Sequence, residues 1–214
     1  MRPFYFLCYV STEVICRLGF RLSVKGREHV PKSGAFIAAC NHVAYFDPVI
    51  VACALKREVC FLARAELFEQ FFVKDLIKRL NAFPIRRGER DISSIKTCIS
   101  ILAERAMPLL LFPEGTRSTT GRLGEPRRGI AFIAAQTRVP ILPVYIENSN
   151  HLGECLKLRK RLRVRIGKPL EPADYAHLLT GREGYGELAR VVMSEIGRLK
   201  RAASPHAPGH LTVA

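Results

Sequence analysis

The sequence predicts an α/β fold, in which a largely parallel central sheet is flanked by helices within a single domain. The 214 residues suit one domain with a full core. Hydrophobic residues make up 48% of the chain and charged residues 25%, which is typical of globular proteins. Short apolar runs alternate along the chain with stretches of helical spacing, and this alternation indicates strand–helix units around a parallel sheet.

The first predicted element is a helix within residues 3–20, which are mostly apolar but include Glu13 and Arg17. The uninterrupted apolar run is too short to span a bilayer, and the two charges disfavour a transmembrane helix. An amphipathic helix lying in the membrane interface is favoured instead, with a helix packed on the core as the alternative. The apolar residues that would form its membrane face include Phe4, Leu7, Val14, Ile15 and Leu18. We therefore expect residues 1–25 to form an N-terminal membrane-associating segment.

The remaining elements follow in alternation within a domain predicted to span residues 26–201. The predicted strands are 35–40, 59–63, 82–85, 109–112 and 141–146. The predicted helices are 48–55, 66–80, 92–105, 129–137 and 187–201. Asp47 and Asp91 stand just before two of these helices, as N-cap residues do. Residues 202–214 are expected to be a disordered tail.

Residues 157–168 contain seven basic residues. Arginines alternate with apolar residues from 161 to 166, so a strand would place the arginines on one face of the sheet. We interpret this segment as a solvated edge strand that is protected by its charge and that also serves as a basic patch facing a membrane.

The charge of the whole chain indicates an anionic partner. Lys and Arg number 34 against 19 Asp and Glu, which gives a net charge of +15. Such a surface attracts anionic lipid, phosphorylated substrates or nucleic acid. No RNA-recognition, zinc-finger or KH pattern is present, so no nucleic-acid partner is expected. The seven scattered cysteines lack CxxC spacing, which disfavours a disulfide framework or a zinc site and favours the reducing cytoplasm.

His42 and Asp47 are the strongest candidate for a catalytic pair. Separated by four residues, they can meet across one tight turn, where the carboxylate fixes the imidazole tautomer and leaves the other ring nitrogen free to act as a base. No serine of the protein is needed if the substrate supplies the hydroxyl. The alternative interpretation makes Asp47 a helix N-cap before Pro48 and leaves His42 as a loop residue.

Three further segments surround this pair in the predicted topology. The sequence FPEGTRS at 112–118 follows a strand and supplies backbone N–H groups, a hydroxyl and a guanidinium, which are the parts of a phosphate cradle. The sequence NAFPIRRG at 81–88 adds two arginines, and VPILPV at 139–144 completes the set. Each segment alone also has a purely structural explanation. Ligands of such sheets bind beyond the carboxyl ends of the strands, where these polar segments fall.

In this order and spacing, the segments resemble the four motifs of the glycerolipid acyltransferase family, and in particular its PlsC-like 1-acyl-sn-glycerol-3-phosphate (lysophosphatidic acid) acyltransferases. NHVAYFDP is similar to the NHxxxxD motif, NAFPIRRG to the second motif, FPEGTRS to the third and VPILPVYI to the fourth. The resemblance is strong over residues 26–148 and extends to the flanks only in general layout.

The resemblance implies a role for each matching residue. His42 would be the general base and Asp47 would orient it, without a covalent acyl-enzyme. A phosphate and glycerol site would be formed by Arg87, Glu114, Gly115, Thr116 and Arg117. Arg127 or Arg128 falls where the family often has a lysine that assists phosphate binding. No metal or redox cofactor is required by this chemistry.

The function implied is transfer of an acyl chain from acyl-CoA or acyl-carrier protein to the sn-2 hydroxyl of lysophosphatidic acid at the cytoplasmic face of the inner membrane. The protein would be peripheral or monotopic and would contact anionic lipids. Acylation of another lyso-lipid, such as a lyso-ornithine lipid or another lysophospholipid, is an alternative. A thioester hydrolase and a non-catalytic lipid- or nucleic-acid-binding module are alternatives from other classes.

Overall fold

The computed structural model describes residues 1–85 and 92–203 of the chain. Within these residues, seven strands form one sheet in the order β1-β7-β6-β2-β5-β3-β4. The strands are β1 (Ser23–Lys25), β2 (Ile37–Cys40), β3 (Cys60–Arg64), β4 (Ala82–Ile85), β5 (Leu109–Leu111), β6 (Ile141–Glu147) and β7 (Arg163–Ile166). The pairing is parallel throughout except between β6 and β7. The predicted α/β fold with a largely parallel sheet is confirmed.

Helices cover both faces of the sheet. They are α1 (Pro3–Leu18), α2 (Asp47–Leu55), α3 (Phe71–Arg79), α4 (Ile92–Ala103), α5 (Gly129–Thr137), α6 (Leu152–Leu156), α7 (Pro172–Tyr175) and α8 (Gly181–Ala203). One core layer packs α1 and α2 on the sheet, and the other packs α4, α5 and α8 on its opposite face. All four residues of β2 are buried, alternately in the two layers. This explains why β2 reads as a continuous apolar run.

The direction of the strands decides where the polar segments meet. The five adjacent strands β6, β2, β5, β3 and β4 run the same way, so their carboxyl ends lie at one edge of the sheet. β7 and β1 run the opposite way, and their amino ends lie at that same edge. The loops that follow β2 and β5 are therefore neighbours, because these two strands pair directly.

Two sequence predictions about individual elements are wrong. The helix predicted over 66–80 is a short 3-10 turn at Ala65–Phe68 followed by α3, because Gln70 has an extended backbone that interrupts the helix. The strand predicted within 161–166 has the expected alternation of arginine and buried apolar residues. It is not an edge strand, however, since β1 pairs with it on its outer side. A strand of three residues gives too short a pattern to recognise in the sequence.

α1 packs on the core, as one interpretation predicts, and also exposes the apolar residues on which the membrane interpretation is based. One side of the helix packs on the body of the protein and includes the buried Tyr5 and Cys16. The opposite side exposes a continuous set of large apolar side chains, and all five residues predicted for a membrane face belong to it. The exposed residues are Phe4, Phe6, Leu7, Val10, Val14, Ile15 and Leu18.

Polar contacts fix the start of α1 to the body of the protein. Near its start, the Arg2 guanidinium lies 2.7 Å from the Glu58 carboxylate, and the Tyr5 hydroxyl accepts a hydrogen bond from the Val59 N–H at 3.2 Å. Burial raises the pKa of Tyr5 to about 12, so the hydroxyl stays neutral. Further along, Arg17 forms an ion pair with Glu13 at 2.8 Å. The two charges that interrupt the apolar stretch therefore neutralise each other.

No helix among the described residues has the length and apolar character needed to cross a membrane. The predicted cap Asp91 and residues 204–214 of the predicted 202–214 tail lie outside the described residues. The first two residues of that predicted tail, Ala202 and Ala203, instead belong to α8. β1 starts at Ser23 and belongs to the sheet, so we propose that the boundary of the N-terminal segment lies before this strand rather than at residue 25.

Candidate active site

The imidazole of His42 and the carboxylate of Asp47 meet in the loop that connects β2 to α2. His42 Nδ1 lies 2.8 Å from Asp47 Oδ2. The Asp47 side chain is fully buried, whereas that of His42 keeps 14% of its surface exposed. A carboxylate only accepts hydrogen bonds, so His42 must carry its proton on Nδ1, which leaves Nε2 without a proton. The pair is therefore arranged as a base and its orienting group.

Asp47 does not cap its helix through its side chain, contrary to the alternative interpretation. It is the first residue of α2, and Phe46 at the N-cap position makes no side-chain capping bond. Asp47 Oδ2 instead accepts the backbone N–H groups of Val43 at 2.7 Å and Ala44 at 2.8 Å. The same oxygen thus closes the loop and holds His42, because the loop turns its N–H groups inward.

Two neighbours of His42 further define its surroundings. The ring of Phe112, at the end of β5, stacks on the imidazole with the centroids 3.9 Å apart. This contact restricts rotation of the histidine about its side-chain bonds. The Cys40 thiol lies nearby, but burial and then the charges of Asp47 and Glu114 raise its pKa well above the ordinary value. The thiol stays protonated and is not a candidate nucleophile.

Glu114 connects the loop after β2 to the loop after β5. One carboxylate oxygen accepts the His42 backbone N–H at 3.1 Å, and the other accepts the Gly124 N–H at 2.8 Å. A second contact joins the loop after β2 to the loop after β5, since Ser118 donates its N–H to the His42 carbonyl at 2.7 Å. Glu114 is buried and both of its oxygens are occupied. We therefore propose a positioning role for it instead of the phosphate contact that the sequence predicted.

Asn41 is a positioning residue that the sequence analysis did not assign. Its side chain is buried and bonds the backbone of Ile146 on the adjacent β6 in both directions. The Asn41 amide donates to the Ile146 carbonyl at 3.0 Å, and the Ile146 N–H donates to Asn41 Oδ1 at 2.8 Å. This pair of bonds fixes the residue that directly precedes His42. A polar residue at the end of a fully buried strand is the signal that would have identified it.

The loop after β5 presents the other predicted substrate residues toward solvent. Gly115 has a left-handed backbone with φ of +70°, and a side chain there would collide with the Arg127 side chain at 2.6 Å. Arg127 therefore lies against this loop, and its N–H also bonds the Pro113 carbonyl at 2.8 Å. Arg128 points elsewhere, toward Gly186 on α8. Of the two arginines that the sequence left open, Arg127 is therefore the one whose side chain lies against Gly115.

Arg117 and Thr116 are the remaining described residues of the predicted phosphate cradle. The Arg117 guanidinium lies 3.5 Å from the centroid of the Tyr45 ring, which belongs to the loop between His42 and Asp47. This cation–π contact holds a partly exposed arginine on the same side as the histidine loop. Thr116 is exposed beside it. Arg87, the remaining residue predicted for the phosphate site, lies outside the described residues.

An apolar groove runs between α1 and α2 and is partly open to solvent. Its lining includes Pro48 and Val49, which immediately follow Asp47 in the chain, together with Ala52 and Thr12. The loop after β2 therefore leads from the His42–Asp47 pair into one wall of this groove.

The chain is similar to proteins of known name in both sequence and structure. Residues 21–147 match the acyltransferase family. The 1-acyl-sn-glycerol-3-phosphate acyltransferase of Bacillus subtilis is 31% identical over 175 residues, which are 81% of this chain and 86% of that protein. The protein of the same name from Streptococcus pneumoniae is 30% identical over 77% of this chain, which spans only 60% of that relative's length.

A solved structure supports the fold. The crystal structure of the 1-acyl-sn-glycerophosphate (LPA) acyltransferase PlsC from Thermotoga maritima superposes with a TM-score of 0.72. The match covers 97% of this chain and 86% of that one, at 23% sequence identity.

Replacing Glu114 by alanine tests its role as a connection between loops. Glu114→Ala leaves two backbone N–H groups without their carboxylate, so we expect the free energy of unfolding in urea to fall by about 2–4 kcal/mol. Glu125→Ala, at an exposed glutamate of the same loop region, should change it by less than about 0.5 kcal/mol. Equal, small effects of both substitutions would exclude the connecting role.

Proposed function

This chain belongs to the acyltransferase family, and we propose that it is a 1-acyl-sn-glycerol-3-phosphate acyltransferase. It transfers an acyl chain from acyl-CoA or acyl-carrier protein to the free sn-2 hydroxyl of lysophosphatidic acid. The product is phosphatidic acid, so the reaction belongs to phospholipid biosynthesis. The observation that carries the proposal is the His42–Asp47 pair, held at 2.8 Å beside a loop that presents arginines.

His42 acts as the general base. Its free Nε2 accepts the proton of the sn-2 hydroxyl as the hydroxyl oxygen attacks the thioester carbonyl. The resulting imidazolium is stabilised by the buried Asp47 carboxylate, because opposite charges attract strongly where water is excluded. The carbon–sulfur bond then breaks, the thiolate leaves, and the proton held by His42 neutralises it. The histidine returns to its starting state without a covalent acyl-enzyme.

The acceptor phosphate binds at the cationic loop. Arg117 offers paired N–H donors that match phosphate oxygens, and Arg127 lies against the same loop. Gly115, with its left-handed backbone, and Thr116 leave the loop open to a headgroup. We propose that Arg87 adds a third guanidinium. The Glu114 carboxylate faces backbone N–H groups, so its charge is directed away from the phosphate.

The acyl chain of the donor lies in the apolar groove between α1 and α2. The lining of the groove includes Pro48 and Val49, which directly follow Asp47, so a chain within it could hold its thioester near His42. Transfer of methylene groups from water to an apolar surface favours this placement, at roughly 0.8 kcal/mol for each buried methylene. The groove is formed in part by α1, so the helix contributes to the substrate site as well as to the surface.

We infer that the protein is peripheral or monotopic at the cytoplasmic face of the membrane. The outward side of α1 exposes seven large apolar residues, whose burial among lipid tails is favourable. The net charge of +15 adds attraction to anionic headgroups. The seven free cysteines suit a reducing compartment.

Substitution of His42 and Arg117 tests the division of labour between base and phosphate site. With palmitoyl-CoA and lysophosphatidic acid in detergent, we expect His42→Ala to lower kcat by about 10²–10⁴-fold, as loss of a general base does. Arg117→Ala should instead raise the KM for lysophosphatidic acid by about 10- to 100-fold. His177→Ala and Arg122→Ala, at exposed residues of the same types, serve as matched controls.

The outcome also separates the rival functions. Release of CoA that requires both acceptor and His42 supports the acyltransferase. Release without acceptor would indicate a thioester hydrolase. Turnover that occurs only with another lyso-lipid would mean that this lyso-lipid, and not lysophosphatidic acid, is the acceptor. Equal loss of kcat in His42→Ala and Arg117→Ala at saturating acceptor would contradict the roles assigned to these two residues.

Narrowing the groove tests the placement of the acyl chain. Ala52→Phe places a ring in the channel, so the ratio of kcat/KM for palmitoyl-CoA to that for octanoyl-CoA should fall by about tenfold or more, because small steric changes in apolar pockets have effects of this size. Ala135→Phe, at a partly buried alanine of α5 in the opposite layer, is the control. An unchanged chain-length ratio in Ala52→Phe would exclude this groove.

A further inference from the structure

A second pocket lies at the same edge of the sheet as the active site, on the side of β7 and β1. It is open to solvent and has a volume of about 380 Å³. Basic side chains form most of its lining, and they are Arg21, Arg159, Lys160, Arg161 and Arg163. The acceptor site follows β2 and β5, whereas this pocket lies beyond β6 in the sheet order, so the two are separate.

The pocket is built from three turns that are connected to one another. The Arg21 guanidinium donates to the Leu158 carbonyl at 3.3 Å, and the Asn148 amide donates to the Arg161 carbonyl at 2.9 Å. Arg21, Asn148 and Leu158 all have left-handed backbones, with φ between +54° and +66°. Such conformations are unfavourable for most residues other than glycine and asparagine.

The positive charge of the pocket is only partly balanced. Arg163 pairs with Glu147 at 3.1 Å, and Arg159 lies 3.8 Å from Glu154. Lys160 and Arg161 form no ion pair with any part of the chain that the structure describes. The pocket therefore attracts an anion, and its clustered guanidinium groups suit the oxygens of a phosphate.

The surroundings of the pocket indicate where such a phosphate comes from. Leu156 and Leu158 are exposed, by 59% and 65%, directly beside the basic residues. Leu156 also lies against Gly19, so these side chains continue the exposed apolar side of α1, which ends at Leu18. A surface that changes from apolar to basic within a few ångströms fits the boundary between lipid tails and headgroups.

We propose that this pocket binds the headgroup phosphate of an anionic phospholipid in the bilayer. The proposal rests on the membrane location given above and adds a specific lipid site to it. Such a headgroup would bind at the edge of the sheet that also carries the proposed active site, next to the end of α1.

Binding to vesicles tests the site. The probes are phosphatidylcholine vesicles with and without phosphatidylglycerol, titrated with the full chain. Lys160→Ala/Arg161→Ala removes two charges without breaking an ion pair, and it should weaken binding to the anionic vesicles by about 30-fold, since each basic residue near the surface contributes roughly a fivefold factor. Lys96→Ala/Arg182→Ala removes the same charge from α4 and α8 and should leave binding nearly unchanged.

Three outcomes would overturn the proposal. Equal weakening in both double variants would mean that only net charge matters. Wild-type binding that is equally strong with and without phosphatidylglycerol in the vesicles would exclude an anionic phospholipid as the ligand of the pocket. A raised KM for palmitoyl-CoA in detergent, in Lys160→Ala/Arg161→Ala alone, would assign the pocket to the phosphates of the donor.

Turnover in neutral detergent separates this proposal from the proposed enzyme function. There, Lys160→Ala/Arg161→Ala should match the wild type in kcat and in both KM values, because no bilayer is involved. A wild-type protein that binds anionic vesicles through the pocket but transfers no acyl group would retain the lipid site and contradict the acyltransferase.

Discussion

The hydrogen bonds accepted by the Asp47 carboxylate are the interactions on which the proposed active site depends. One oxygen of this carboxylate receives two backbone N–H groups of the loop and the imidazole of His42, all within 2.8 Å. The geometry of the loop and the tautomer of the base are therefore set by the same atom. Burial makes the arrangement strict, since a charge removed from water must keep its hydrogen-bond partners. A change at this position disturbs the loop and the chemistry together.

The parallel sheet brings the remaining parts of the site to this carboxylate. β2 and β5 pair directly, so the histidine loop and the cationic loop leave the sheet side by side. Glu114 then joins the loops, and Asn41 joins the histidine loop to β6. On the other side, α1 forms one wall of the apolar groove and directs its own apolar side outward. α1 thus contributes both to the proposed acyl groove and to the proposed membrane surface.

The sequence predicted the fold class, the α2 and α5 segments and the meeting of His42 with Asp47, because these depend on local patterns and on the direction of parallel strands. It could not predict contacts set by tertiary structure. β1 is too short to show a pattern, so the sequence alone predicts the neighbouring β7 as an edge strand. The partners of Glu114 lie 72 residues before it and 10 residues after it in the chain. The sequence could not distinguish Arg127 from Arg128, because the two neighbours differ only in the direction of their side chains, which the tertiary structure determines.

The tautomer of His42 tests the central claim most directly. In protein labelled with ¹⁵N-histidine, two-bond ¹H–¹⁵N correlation spectra identify which ring nitrogen of His42 carries the proton when the ring is neutral, and His42→Ala assigns the signal. We predict a proton on Nδ1 and a bare Nε2 that is available to the substrate hydroxyl. A neutral ring protonated on Nε2 would contradict the account, because Asp47 would then not be holding the imidazole as a base.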